Sequence, residues 1–190
     1  MIYNNNNKNK NMIYNKNIFN EWLICFFFTN LITYKREIIN NNESLKDILH
    51  FNNITLNKKI CDIFPLLCIF LINNYEKYII CHTYLLLLRL ICYNATILPN
   101  PASLENRFVF GIIPSFTYDL IFSGHTMTCV LSIFCVKQPL IPYVFLLSIL
   151  CSLSVIVAKE HYTIDVIVAW ISTYTVVSMH KIDINYLLEQ

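Results

Sequence analysis

The sequence predicts an all-α membrane protein, a bundle of about six transmembrane helices. Apolar residues make up 56% of the 190 positions and charged residues only 14%, and the mean hydropathy is +0.49. Soluble domains carry about 25% charged residues. Apolar runs close to the roughly 20 residues that a membrane helix needs recur along the chain. The composition therefore indicates that most of the chain lies in lipid.

The spans follow one another between two polar tails. Residues 1–17 are rich in Asn and Lys and lack the apolar core of a signal peptide, so we interpret them as a disordered tail. Residues 18–180 form the predicted six-span catalytic domain, and residues 181–190 form a short polar tail. The predicted spans are 18–34, 60–72, 78–98, 119–136, 140–158 and 162–179.

Two of these spans depart from a simple apolar helix. The segment 60–72 is short and contains Asp62 and Pro65, so it fits a short span, a re-entrant piece or an interfacial helix. The span 78–98 ends at two prolines and carries Arg89 near its middle. A charge at that depth must face the bundle interior, where Arg89 either pairs structurally or faces a phosphate. His82 on the same helix is interpreted as a hydrogen-bonded packing residue.

The connections between the spans are polar. The segment 35–59 contains two N-glycosylation triplets, Asn42-Glu43-Ser44 and Asn53-Ile54-Thr55, which are common by chance in an Asn-rich chain. The segment 99–118 is predicted to be a loop. Basic residues divide almost equally between the two sides of the membrane, so their distribution does not orient the bundle.

Charge and cysteine content exclude other classes. The net charge of +2 is scattered rather than clustered, which argues against binding to nucleic acid. The eight cysteines lie in apolar runs without paired ligand spacing, so we interpret them as small apolar fillers and not as disulfides or zinc ligands. We expect neither a metal nor another cofactor.

Two histidines and one aspartate carry the predicted chemistry. His161 and Asp165 are four residues apart, which places them on one face of a helix. A carboxylate that accepts the Nδ1 proton of an imidazole leaves Nε2 nucleophilic. His125, in Ser123-Gly124-His125-Thr126, supplies a second imidazole. One histidine attacking phosphorus and the other protonating the leaving oxygen is a minimal set for phosphoryl transfer through a phospho-histidine.

The order of the last four spans brings both histidines to the same face of the membrane. The span of His125 runs inward, the next returns, and the span of Asp165 runs inward again. The lengths fit poorly, because His161 lies further from the inner turn than His125 by about 12 Å at 1.5 Å per residue. Tilt, a break near Gly124, or an inner turn placed nearer Pro142 is needed to absorb this difference.

At these residues the chain resembles the sphingomyelin synthase family, a branch of the type 2 phosphatidate phosphatase superfamily. The resemblance rests on Asp119-Leu-Ile-Phe-Ser-Gly-His125-Thr and Ala158-Lys-Glu-His161-Tyr-Thr-Ile-Asp165-Val, and more weakly on Arg89 with Thr96-Ile-Leu-Pro-Asn-Pro101. It covers roughly residues 79–180. It departs from the family at Thr117, Tyr118 and Lys159, where Cys, Gly and His are common.

The resemblance implies a six-span enzyme that moves phosphocholine, or a related head group, from a phospholipid donor to ceramide. It implies a multi-pass protein of the Golgi or plasma membrane whose active site faces the lumen or the outside. His161, supported by Asp165, is then the nucleophile, and His125 is first the acid and then the base. The residues expected to bind substrate are Ser123, Gly124, Thr126, Tyr162, Asp119 and Arg89.

Two alternatives remain open at the level of sequence. A lipid phosphatase of the same superfamily passes the phosphoryl group to water, and such enzymes carry Lys-x6-Arg-Pro and Ser-Arg motifs whose arginines bind a phosphate dianion. Neither motif is present, and Ser154-Val155 stands in place of Ser-Arg. A phosphodiester carries a single negative charge, so this departure is consistent with a transferase. The second alternative is a non-catalytic lipid-binding or scrambling protein that kept the motifs.

Overall fold

A computed structural model describes residues 19–27, 47, 49, 56–95, 107–109, 113–115 and 121–180. Both predicted tails and both glycosylation triplets lie outside these residues. The elements are α1 (19–27), α2 (Lys59–Phe70), α3 (Tyr75–Ala95), the strands β1 (Arg107–Val109) and β2 (Ile113–Ser115), α4 (Gly124–Ile133), a 3-10 turn (Gln138–Leu140), α5 (Ile141–Val157) and α6 (Thr163–Met179).

The described part of the chain is helical apart from one short hairpin. Strands β1 and β2 pair antiparallel, with Arg107 opposite Ser115. They lie in the segment 99–118, for which the sequence predicted only a loop. The last two predicted spans, 140–158 and 162–179, match α5 and α6 to within one residue at each end.

Six complete spans are not confirmed. Helix α4 has 10 residues where 119–136 was predicted, and at 1.5 Å per residue it is about 15 Å long, half the thickness of a hydrocarbon core. Within the described residues, one helical stretch, Gln138–Val157, is both long and apolar enough to cross a membrane. The apolar helix Thr163–Met179 is shorter.

Backbone hydrogen bonds define the carboxyl-terminal end of α4. The helix ends at Ile133, and Cys135 N–H then donates to the carbonyl of Ser132 in a tighter turn. The carbonyl of Cys135 accepts from the N–H groups of both Asn73 and Asn74, at 3.0 and 3.1 Å. These bonds tie the α2–α3 turn to the end of α4, so that α2 and α4 run side by side in the same direction.

The outer surface of the bundle is apolar. On α5 the exposed positions follow one helical face, and the opposite face is buried. The exposed large apolar side chains of that face are Tyr143, Phe145, Leu146, Ile149, Leu150 and Leu153. An apolar face this continuous is rare on a soluble monomer, and it supports contact with lipid.

Small polar side chains lie inside the bundle instead. The hydroxyls of Ser148 and Ser152 each donate to the backbone carbonyl four residues earlier at 2.7 Å, and Trp170 Nε1–H donates to Ser152 Oγ at 3.0 Å. All eight cysteines lie in the described part of the chain, where none forms a disulfide, and six of them are buried. Such small residues let helices pack closely in a membrane.

His82 is a hydrogen-bonded packing residue, as predicted. Its Nδ1 accepts from Trp22 Nε1–H at 2.9 Å, and its ring stacks on Tyr78 with 5.3 Å between centroids. These contacts join α1 to α3 and leave His82 outside the chemistry.

Candidate active site

The two predicted histidines meet at the end of the bundle where α2, α4 and α6 begin. His125 is the second residue of α4, and His161 lies in the turn between α5 and α6. Their ring centroids are 6.5 Å apart and the rings are inclined by 66°. The predicted length difference lies at the other end of these helices, where the seven residues 134–140 connect the end of α4 at Ile133 to the start of α5 at Ile141, beside Pro142.

His161 does not lie on the helix that carries Asp165, which corrects the prediction of one helical face. Helix α6 begins at Thr163, Tyr162 is its N-cap, and Asp165 is its third residue. The Oδ2 atom of Asp165 accepts the Tyr162 N–H at 2.8 Å and lies 3.7 Å from His161 Nδ1. That second distance is an ion-pair separation and is longer than a hydrogen bond. Asp165 therefore lies near His161 because it caps α6 by binding the backbone of Tyr162, the residue after His161.

The turn before His161 is a Schellman motif. Lys159 N–H donates to the carbonyl of Ile156 at 3.0 Å, and Glu160 N–H donates to the carbonyl of Val155 at 2.9 Å. Lys159 itself has φ 55°, a left-handed conformation that usually selects glycine. His161 N–H also approaches the Val155 carbonyl, at 3.3 Å. The turn fixes the backbone of His161 against the end of α5.

His125 has a carboxylate partner that sequence reasoning missed. Asp62 Oδ1, in the first turn of α2, lies 2.8 Å from His125 Nε2. The sequence offered one signal, since a carboxylate in an apolar segment is expected to have a functional partner. It gave no means of choosing His125, because the two residues are 63 positions apart.

Arg89 reaches the start of α4. A Cβ atom built on Gly124 would lie 2.7 Å from Arg89 Nη1 and 3.2 Å from Cζ. The guanidinium therefore occupies the space that glycine leaves beside the backbone, one residue from His125. Arg89 was predicted either to form a structural pair or to face a phosphate. Its position beside His125 favours the second interpretation, in which the guanidinium faces the site.

Three other predicted substrate-binding residues are buried and serve the framework. Ser123 Oγ caps α4 by accepting from Thr126 N–H at 3.3 Å, and Ser123 N–H donates to the Asp165 carbonyl at 3.3 Å. Thr126 is fully buried, and Tyr162 is 3% exposed. Asp119 lies outside the described residues. Ser123 thus links the starts of α4 and α6, which carry His125 and Asp165.

A second carboxylate holds the start of α6. Asp47 accepts from both the N–H and the Oγ1–H of Thr163, at 2.6 and 2.7 Å. No sequence motif marks Asp47, which lies in the polar segment 35–59. It acts as a helix cap supplied from a distant part of the chain.

The site has no visible set of metal ligands. Across the ranges described above, no three His, Cys, Asp or Glu side chains are placed to hold a metal ion. The chemistry available from the described residues is that of two imidazoles, two carboxylates and one guanidinium.

Comparison with family models matches part of the chain. Comparisons with curated proteins and with solved structures gave no match. The family model described as PAP2 superfamily C-terminal matches residues 118–182, a range that includes His125, His161 and Asp165. Members of that superfamily are typically phosphatases or phosphotransferases acting on lipid phosphates. A PAP2 superfamily C-terminal domain is thus detected, which supports a relationship with the type 2 phosphatidate phosphatase superfamily.

Proposed function

We propose that the protein is a membrane phosphotransferase that moves phosphocholine, or a related head group, from a glycerophospholipid to ceramide. The observation that carries the proposal is the pair of facing imidazoles, His125 and His161, with 6.5 Å between centroids and a carboxylate beside each. A phosphorus atom between two such rings has a nucleophile on one side and a proton donor on the other. The proposed setting is the Golgi or plasma membrane.

In the first half-reaction, His161 Nε2 attacks phosphorus and the bond from phosphorus to the diacylglycerol oxygen breaks. The departing oxygen takes a proton from His125, so diacylglycerol leaves as a neutral alcohol. The head group is then bound to His161 through a phosphorus–nitrogen bond, and the nearby Asp165 carboxylate stabilises the positive charge on that ring.

In the second half-reaction, His125 is neutral and acts as a base. It takes the proton of the ceramide hydroxyl while that oxygen attacks phosphorus. The phosphorus–nitrogen bond breaks, His161 returns to its starting form, and His125 is protonated again. The cycle is balanced without a cofactor.

Positive charge for the phosphate comes from two sources. The Arg89 guanidinium lies against Gly124, and α4 begins at the same residue. The first N–H groups of a helix lack partners within the helix and attract anions. One guanidinium with one helix start suits a phosphodiester, which carries a single negative charge.

A lipid phosphatase is the second candidate, and the superfamily match fits it equally. In that case water replaces ceramide in the second half-reaction while the first is unchanged. The two candidates differ in the acceptor alone, so one assay separates them.

The test is expression in cells deficient in lipid synthases, followed by incubation of membranes with fluorescent ceramide and phosphatidylcholine. We expect a fluorescent phosphosphingolipid whose head group is identified by mass spectrometry, and none from the His161→Ala variant. Release of inorganic phosphate from phosphatidate without that product would support the phosphatase. Neither product, in membranes that contain folded protein, would favour a non-catalytic lipid-binding protein.

The roles of the two histidines are tested by trapping the intermediate. 4-Nitrophenyl phosphocholine has a leaving group that needs no protonation, so a His125→Ala variant should still be labelled on His161. Transfer from that intermediate should be slow, because no base removes the acceptor's proton. Label on His125, or turnover without label on either ring, would contradict the two-step mechanism.

A further inference from the structure

We infer that Asp62 is a positioning residue that holds His125 in its protonated form and so assigns the acid role to that ring. The inference rests on the proposed function, within which it distinguishes the two imidazoles. It also gives α2, the element that the sequence left least defined, a place in the reaction.

The Asp62–His125 contact is short and shielded from water. The Asp62 side chain is 7% exposed and the His125 side chain 15%, with 2.8 Å between Oδ1 and Nε2. A carboxylate and an imidazolium at that distance form a charge-assisted hydrogen bond, which is stronger than the bond from a neutral ring. Burial also makes an unpaired Asp62 charge costly. Both effects favour a proton on His125.

His161 is placed differently toward its own carboxylate. The Asp165 Oδ2 atom lies 3.7 Å from Nδ1 and already accepts the Tyr162 N–H at 2.8 Å. This carboxylate therefore stabilises an imidazolium less than Asp62 does. The closer carboxylate thus assigns the acid role to His125 and leaves His161 as the nucleophile.

The other charges around His125 explain why a close carboxylate is needed. Arg89, from α3, brings its guanidinium beside Gly124, one residue away, and His161 faces the ring. Both oppose a second positive charge. Asp62 from α2 lies at hydrogen-bond distance from His125, at 2.8 Å, and Asp165 from α6 lies 3.7 Å from His161.

Helix α2 is built to bring this carboxylate to the right depth. Its end is tied to the end of α4 through the N–H groups of Asn73 and Asn74, which donate to Cys135. Both helices begin at the site and end at this tie, and their first turns carry Asp62 and His125. The short length of α2 matches the short length of α4, so the carboxylate and the ring meet.

The test is Asp62→Asn, which keeps the shape of the side chain and removes its charge. We expect turnover of the lipid donor to fall about 10- to 100-fold, since a positioned general acid contributes 10²–10⁴. The first half-reaction with 4-nitrophenyl phosphocholine should label His161 at the wild-type rate. The alkaline limb of the pH–rate profile should move to lower pH, because without Asp62 the ring loses its proton sooner. Asp62→Glu should restore part of the activity.

A matched control is Glu76→Gln, which removes an equal charge from an exposed side chain. Glu76 lies in the first turn of α3, at the end of that helix away from Arg89 and the site. The substitution should change neither the rate nor the profile. The pH at which His125 loses its proton can also be followed by NMR of isotope-labelled histidine, without any substrate. That pH should fall in Asp62→Asn and stay unchanged in Glu76→Gln.

Three outcomes would overturn the inference. The first is an unchanged alkaline limb and an unchanged His125 titration in Asp62→Asn. The second is loss of His161 labelling by the activated donor in that variant, which would indicate a general structural role. The third is a His125 ring that is neutral at the pH of maximal rate in the wild-type protein. If the wild type itself neither turns over nor becomes labelled, the proposed function fails, and the NMR titration still decides whether Asp62 holds the proton.

Discussion

Gly124 is needed for the space beside it. A Cβ atom at this position would lie 2.7 Å from Arg89 Nη1. Any larger residue would therefore clash with the guanidinium in its present position. The atom in the way belongs to the end of a flexible side chain, which can move at little cost. The expected consequence is therefore a displaced guanidinium rather than an unfolded protein.

Gly124→Ala should lower turnover about 10- to 100-fold, since an ångström of misplacement at a site can cost that much. The thermal unfolding midpoint in detergent should change little. The matched control is the same change made in an Arg89→Ala protein, where it should have almost no further effect on rate. Additive losses in that double variant would show that Gly124 acts independently of Arg89.

Asp165→Asn separates the charge of Asp165 from its role as a helix cap. In the present structure, Asp165 Oδ2 accepts the Tyr162 N–H at 2.8 Å. The amide oxygen of asparagine can accept the same bond, so α6 should still begin at the same residue. The loss of charge should reduce turnover by about 10²–10⁴, as it does when the carboxylate of a catalytic triad is made neutral. Membrane insertion and unfolding should match the wild type. Near-normal turnover in the folded variant would remove the His161–Asp165 pair from the mechanism.

At this scale the sequence predicted residues with local signatures and missed one whose partner is distant. Ser123-Gly124-His125 and His161 with Asp165 are short motifs, and their two imidazoles and one carboxylate indicate phosphoryl chemistry. In the sequence, Asp62 stands out only as a charged residue in an apolar segment. Its contact with His125 depends on how α2 packs beside α4, which no local pattern encodes.

The turn between α5 and α6 contains a residue in an unfavourable backbone conformation. Lys159 occupies the left-handed position of the Schellman motif at φ 55°, where a residue with a Cβ atom is disfavoured by about 1–2 kcal/mol. Two backbone bonds, from Lys159 and Glu160, nevertheless close the turn. The turn then delivers His161 to the site.

Lys159→Gly should stabilise the protein by about 1 kcal/mol, because glycine adopts this conformation without the steric penalty. The measurement is the thermal unfolding midpoint in detergent. Lys137→Gly is the matched control, since Lys137 has φ −66° and ψ 148° and gains nothing sterically from glycine. A fall in both stability and turnover for Lys159→Gly would instead mean that the lysine side chain contributes to the site.

Element boundaries were predicted best where apolar composition alone decides them. Helices α5 and α6 fit because their sequences are apolar over a full helix length. Helix α4 is shorter than predicted because Ser123 caps its start and the turn at Cys135 ends it, and hydropathy does not detect either feature. The hairpin at 107–115 was missed because its strands have three residues each.

For the whole molecule, the position of the site depends on which helix ends lie together, and less on the number of complete spans. Helix α3 runs towards the site and ends at Ala95, and α4 begins at the site with Gly124. Helix α6 leaves the site and ends at Met179, on the opposite side. The α2–α3 turn and the α4–α5 connection also lie on that opposite side. For the proposed reaction, the lipid donor must reach the histidines from the side on which α4 and α6 begin.

The orientation of that side is the last prediction, and charge does not decide it because basic residues are balanced. If the site faces the lumen, a glycosylation tag inserted in the 99–118 connection should be modified, and one placed after residue 180 should not. Removal of the sugar by a glycosidase, with return to the unmodified mass, is the control for each insertion. The reverse pattern would place the site in the cytosol, where the donor would come from the cytosolic leaflet. Modification of both tags would mean that the two ends of α6 lie on the same side, and α6 would then not cross the membrane.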